Sequence, residues 1–184
     1  MEEVTEMVVE IEKRAEEMRQ CERLFREGKL LKLINHCDTK VNNMLFDTNG
    51  KVLCVIDLDT AMPGFVMSDF GDFMRTAGNT GKEDDTNLDN VSFNMEIFRA
   101  YTRGYLESAK IFLTPLEISL LPFGAKLMTY MQLTRFLADY LNSDTYYKIN
   151  SPLHNLQRSK AQFKLLQSIE ANYQEMQRFI TSII

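Results

Sequence analysis

The apolar positions switch period along the chain. From Val4 to about Phe25, the residues Val4, Met7, Val8, Ile11, Ala15, Met18, Cys21 and Phe25 recur at spacings of three and four. That spacing predicts one amphipathic helix with a single buried stripe. Glutamates crowd its first turns, Arg23, Arg26 and Lys29 crowd its end, and Gly28 is placed to stop it, as the helix dipole and C-terminal capping favour. A coiled-coil seam is the rival reading, but regular flanking charges are missing. The helical pattern then breaks into short runs, Leu30 to Ile34, Met44 to Phe46 and Val52 to Ile56. Asp47-Thr48-Asn49-Gly50 between the last two predicts a β-hairpin. A turn centred on Thr48 and Asn49 leaves Asn43 and Asp57 toward the hairpin's open end, within reach of a common point.

After Pro63-Gly64 the helical period returns. Residues 79–90 are polar and turn-rich and read as an exposed loop, followed by a helix from about Phe93 to Ala109. Thr114, Pro115 and Glu117 supply an N-cap, a first-turn proline and the glutamate of a capping box, so a helix is expected from Pro115 to about Leu141. It is the most apolar segment and should be the most buried. Ser151-Pro152 repeats the start signal for a final helix from Pro152 to about Phe179, with His154 in its first turn. The expected fold is α+β and mostly helical, with one small hairpin. No repeat, low-complexity tract or linker divides residues 1–184, which read as a single domain.

Charge and cysteine usage narrow the function classes. A formal net charge of −5 argues against nucleic acid or an anionic membrane as partner, since both need a positive surface. No apolar run approaches the roughly 20 residues that span a bilayer, and the acidic start is unlike a signal peptide. The three cysteines, Cys21, Cys37 and Cys54, form no CxxC pair and suit a reduced, cytoplasmic setting.

The chemistry-bearing residues concentrate between His36 and Asp72. His36-x-Asp38-x-x-x-x-Asn43, followed after the hairpin by Asp57, has the form of a phosphotransfer catalytic loop and its metal aspartate. Such a reaction needs a carboxylate to orient an acceptor hydroxyl and take its proton; a second carboxylate and a neutral amide oxygen hold magnesium on the nucleotide phosphates. Asp38 suits the first task, and Asn43 and Asp57 the second. Lys40 either offers positive charge to the transferring group or is a solvated loop lysine. His36 is expected to hold the loop by hydrogen bonding. Asp59 either assists the metal or acceptor, or caps the loop.

These residues carry a family resemblance. H-C-D-T-K-V-N-N-M-L-F-D, L-C-V-I-D-L-D-T-A-M-P-G and S-D-F-G-D-F-M-R, with R-F-L-A-D-Y-L-N-S-D-T-Y-Y and P-L-H-N-L-Q-R, resemble the aminoglycoside phosphotransferase and choline kinase-like group. Within it the chain is similar to N-acetylhexosamine 1-kinases. The resemblance implies a protein-kinase-like C-terminal lobe using ATP and Mg2+ on a sugar hydroxyl. It also implies Asp38 as base, Asn43 and Asp57 as metal ligands and Asp69 as a structural aspartate. Cys37 stands where asparagine is expected in the hexosamine kinases. Such enzymes also need a sheet-rich nucleotide lobe with a glycine-rich loop, yet Gly28 is the first glycine here. The expectation is therefore a catalytic and substrate lobe without its nucleotide lobe, binding ATP poorly and inactive alone. Its apolar lobe interface would seek an N-lobe partner or a second copy.

Further candidates remain open. Gln132, Arg135 and Asp139 share one helix face and read either as sugar contacts or as a solvated side with an Arg135–Asp139 ion pair. The resemblance adds Arg135 and Tyr146 as substrate contacts. Arg75 is expected to neutralise Asp69 or Asp72, and His154 to cap its helix or lie on the surface. Other acceptors (an aminoglycoside, choline or homoserine) remain alternatives, as does a non-catalytic sugar-binding remnant or interaction module.

Overall fold

A computed structural model describes residues 2–184. The first helical stripe forms two nearly continuous helices, α1 (Glu2–Met18) and α2 (Gln20–Arg26), with a single turn residue at Arg19 where the apolar spacing predicts one helix. Gly28 ends α2 at φ +70°. The N–H of Lys29 donates to Leu24 O and that of Gly28 to Phe25 O, so the last carbonyls are satisfied as the glycine signal anticipates.

Two small antiparallel pairs follow. Strand β1 (Leu33–Asn35) pairs with β4 (Met62–Gly64), and β2 (Met44–Phe46) with β3 (Val52–Val55). The β1–β4 pair goes beyond the single expected hairpin; three-residue strands carry too little periodicity to announce themselves. The β2–β3 hairpin turns on Thr48 and Asn49, because Gly50 N–H donates to Asp47 O. Gly50 then takes a left-handed conformation (φ +79°), and a bulge shifts the register between Leu45 and Phe46.

The body is helical: α3 (Val66–Ala77), α4 (Met95–Ala109), α5 (Pro115–Ser119), α6 (Leu121–Leu141) and α7 (His154–Ile183). Helix α6 lies between α3 and α7, and the main core of Met67, Phe70, Phe98, Leu121, Phe123, Leu165 and Ile169 fills their contacts. The α3–α6 crossing is backbone to backbone. A Cβ on Gly71 would collide with the Gly124 carbonyl, and one on Gly124 with the Met67 carbonyl, so only glycine permits this approach.

The expected Pro115–Leu141 helix is broken at Leu120 (φ −91°, ψ −3°). Pro122 explains the break: it has no N–H to donate and its ring would crowd the carbonyl four residues back. The capping box itself is present, with Thr114 N donating to Glu117 Oε2 (2.8 Å) and Glu117 N to Thr114 Oγ1 (3.2 Å). Helix α7 starts at His154 rather than Pro152 and continues to Ile183. His154 is buried rather than on the surface. It accepts from Asn150 N (3.1 Å) and its Nε2 lies 3.1 Å from Asp84 Oδ2, pinning the 79–90 loop to α7. Among the described residues, no helix is long and apolar enough to cross a membrane.

Candidate active site

Strand β1 delivers the chain to a loop anchored from beneath by the first turn of α3. Asp69 Oδ2 accepts from His36 N (2.7 Å), its Oδ1 accepts from Cys37 N (2.9 Å), and its carbonyl accepts from Thr39 Oγ1 (2.6 Å). His36 ties the loop to the hairpin: Nε2 meets Ile56 O at 2.8 Å and Nδ1 accepts from Asp38 N at 3.3 Å. With Nδ1 accepting, Nε2 is the ring nitrogen that donates to Ile56 O. Thr60 Oγ1 closes the circuit on His36 O at 2.7 Å.

The backbone is unusual at two points here. Cys37 (φ +66°) and Asp57 (φ +68°) are left-handed without being glycine. The conformation costs a side-chain-bearing residue about 1–2 kcal/mol and is eased for asparagine and aspartate, whose side chains bond locally. Cys37 therefore stands at a position that asparagine would occupy at lower cost. Burial, and then the neighbouring Asp69 carboxylate, push its thiol up from the ordinary value.

Beyond Cys37 the loop presents Asp38. Its Oδ2 accepts from Lys40 Nζ at 2.5 Å and from Asn43 Nδ2 at 2.9 Å. Burial raises the Asp38 carboxyl, but those two hydrogen bonds outweigh it and hold the group below the ordinary carboxylate range. Asp38 is thus ionised at neutral pH. Asn43 is 4% exposed; its Nδ2 also donates to Asp38 O at 2.8 Å, which commits the amide nitrogen to the loop, so that the amide oxygen is the atom that could serve a metal. Ile56 N–H donates to Asn43 O at 2.9 Å and so extends the β2–β3 pairing, which sets Asn43 beside the residue preceding Asp57. Lys40 Nζ lies 3.9 Å from Asp57 Oδ2 and bridges the two carboxylates. Asp59, in the turn after Asp57, is exposed.

A cleft of about 520 Å³ opens over this loop, lined by Asp38 and Lys40 on one side and by Arg135, Tyr146, Tyr147 and Arg158 on the other. The Arg135 guanidinium lies 5.7 Å from the Tyr146 ring centroid and 5.5 Å from that of Tyr147. The Arg135–Asp139 ion pair does not form. Asp139 is buried and instead accepts from Tyr146 N (2.8 Å), Tyr147 N (2.9 Å) and Asn155 Nδ2 (2.8 Å). Burial pushes its carboxyl up, but these donors win and hold it low. Asp139 thereby shapes the loop that displays Tyr146, which is 74% exposed. Arg75 pairs with Asp72 (2.9 Å) and Glu83 (2.6 Å) and not with Asp69.

Tyr147 and Arg158 are cleft residues that the sequence pattern does not single out. Arg158 closes the resembling stretch P-L-H-N-L-Q-R, which is the one signal that points toward it. The hard-oxygen donor set of Asn43 and Asp57 suits Mg2+, which keeps several waters and substrate phosphates and needs only one or two protein ligands. Among the described residues no cluster of three or more His, Cys, Asp or Glu could cage a metal alone.

A small-molecule phosphotransferase is the class this combination defines: a mostly helical α+β body, an ionised aspartate on an anchored loop, and a hairpin bearing an amide and a second carboxylate. The family model for the phosphotransferase enzyme family matches residues 2–112, more than half of the chain, and the chain belongs to that family. The match takes in the whole loop and hairpin and ends before Arg135 and Tyr146.

Proposed function

We propose that the chain forms the catalytic and acceptor-binding lobe of an ATP- and Mg2+-dependent kinase acting on a sugar hydroxyl, with the anomeric hydroxyl of an N-acetylhexosamine as acceptor. The observation that carries the reading is the single cleft shared by ionised Asp38, Lys40 and the Arg135–tyrosine group. Asp38 accepts a hydrogen bond from the acceptor hydroxyl and takes its proton as the oxygen bonds to the γ-phosphorus. The bond from that phosphorus to the β–γ bridging oxygen breaks, and ADP leaves. Asn43 and Asp57 are the residues that would hold Mg2+, which when bound supplies charge neutralisation for the phosphates. Lys40, already drawn to both carboxylates, presents positive charge where charge accumulates on the transferring group. His36 and Asp69 position the loop, and Asp59, exposed in the turn after Asp57, assists the metal or the acceptor. Arg135 and the exposed Tyr146 contact the sugar.

Residues 2–184 offer ATP no glycine-rich cover and no strand lysine, so these come from another lobe. Exposed Leu45, Val52, Leu53 and Val55 on the hairpin suit that contact. The test is phosphoryl transfer from ATP to N-acetylglucosamine by this lobe joined to its nucleotide lobe, with and without Asp38→Asn. Turnover falling by about 10³-fold or more is expected, in line with loss of general-base catalysis and acceptor positioning. Turnover retained in the variant would overturn the assignment.

A further inference from the structure

The side of the cleft that carries Arg135 and Tyr146 holds more positive charge than its surroundings neutralise. Arg135, Lys148 and Arg158 line it, and among the described residues none of the three has a carboxylate partner; Lys40 and Arg75, which also line the cleft, are each held by two carboxylates. Aromatic rings stand where the carboxylates would be. Arg135 lies against Tyr146 and Tyr147, and the Arg158 guanidinium lies 5.2 Å from the Phe136 ring centroid. Phe136 meets Tyr147 at 4.9 Å between centroids, and Gln132 Nε2 donates to the Tyr147 hydroxyl at 3.2 Å, so one braced aromatic cluster carries both guanidiniums. Packing on a ring positions a guanidinium without cancelling its charge, and the N–H groups of Arg135 have no hydrogen-bond partner among the described residues.

The acids nearest in sequence are withheld from these cations. Asp139 is spent on the backbone of Tyr146 and Tyr147, and the buried Asn155 Nδ2 donates both to Asp139 Oδ2 and to Asp144 Oδ1, each at 2.8 Å. Asn155 Oδ1 in turn accepts from Arg158 at 3.1 Å and fixes that guanidinium at the cleft. In a chain of net charge −5, a group of uncompensated cations on one wall selects for a negative ligand. Paired N–H donors on a planar cation match the oxygens of a phosphate or carboxylate, which a neutral hydroxyl does not reproduce. Asp38, which takes the proton of the reacting hydroxyl, lies on the other side of the cleft. We propose that the Arg135–Lys148–Arg158 wall is an anion subsite, and that the acceptor already carries an anionic oxygen group, a phosphate ester or a carboxylate, away from the hydroxyl that is phosphorylated. The proposal rests on the reading of the cleft as the acceptor site.

Calorimetric or NMR titration of the chain as it stands tests it, with two matched pairs of probes: N-acetylglucosamine against its 6-phosphate, and glucose against glucuronate. Wild type should bind at least one anionic sugar at least about tenfold more tightly than its neutral counterpart, the effect of one charge-assisted hydrogen bond, and the ratio should shrink as salt is added. A preference within the first pair assigns the subsite to a phosphate ester, and one within the second to a carboxylate. Arg135→Gln and Lys148→Gln, both at exposed positions, should each bring the ratio toward one. Equal binding within both pairs by wild type, or a preference that survives both substitutions, would overturn the subsite and leave the acceptor cleft standing. Binding of none of the four sugars would overturn both. Inorganic pyrophosphate binding more tightly than either anionic sugar, and losing affinity in the same variants, would give these cations to the nucleotide phosphates and equally overturn the proposal.

Discussion

Replacing Asp69 by asparagine isolates the bond pair on which the loop from His36 to Asn43 rests. The two carboxylate oxygens each receive one backbone N–H, at 2.7 Å from His36 and 2.9 Å from Cys37. The substituted side chain would retain one acceptor and aim an amide N–H2 at the other donor, so one charge-assisted bond is lost and the survivor becomes neutral. Hydrogen bonds to charged groups contribute ~1.5–3 kcal/mol, and the part-exposed loop lets the released N–H reach water, so ~2 kcal/mol is expected. In a domain of this size ~1 kcal/mol moves the melting temperature by about 2–4 °C, giving a fall of about 4–8 °C. If the loop opens locally, amide exchange at His36 or Cys37 should quicken by roughly 10- to 100-fold relative to β2 and α6. The Asp69 carboxylate also helps hold the Cys37 thiol up, so Cys37 should alkylate faster at a given pH in the variant. A melting temperature within about 1 °C of wild type, with unchanged exchange at both amides, would refute the anchoring role.

Cys37→Asn should stabilise the protein by about 1 kcal/mol, since asparagine tolerates the left-handed φ of +66° better; a lower melting temperature would contradict this. Lys40→Met removes one of the two bonds that hold Asp38 low, so the Asp38 carboxyl should titrate at higher pH in the variant, as followed by carboxyl-carbon NMR; coincident titrations would refute the pairing. Because the folded carboxyl lies below its unfolded value, the stability it contributes is full above about pH 4 and is lost as pH falls through the folded value. Gly124→Ala drives a Cβ into the Met67 carbonyl and should cost about 3 kcal/mol or prevent α3 and α6 from closing, read by thermal melting and soluble yield; a wild-type melt would disprove the close crossing.

Local signals in the chain determined most of the elements. Gly28, Asn49-Gly50 and the Thr114–Glu117 box act within a few residues, so their outcomes were legible as a stop, a turn and a start. The spacing of Asp38, Asn43 and Asp57 around a hairpin likewise identified a candidate site, because residues that flank one hairpin must end near one another. Local rules were also enough to break the long apolar helix at Pro122, although its strong hydrophobic pattern concealed the proline. Other features required the folded chain. Asp139 reads as a surface partner for Arg135 by helical spacing, but the return of α7 brings Asn155 against it and the 142–147 loop folds over it, which turns it into a buried loop anchor. Asp69 and Arg158 acquire their surroundings from segments about 30 and more than 80 residues away, at His36 and at the Lys40–Arg75 wall. Periodicity reports which face of an element is buried. Which polar groups meet across the cleft depends on how α3, α6 and α7 pack, and at Gly71 and Gly124 that packing is set by backbone contact.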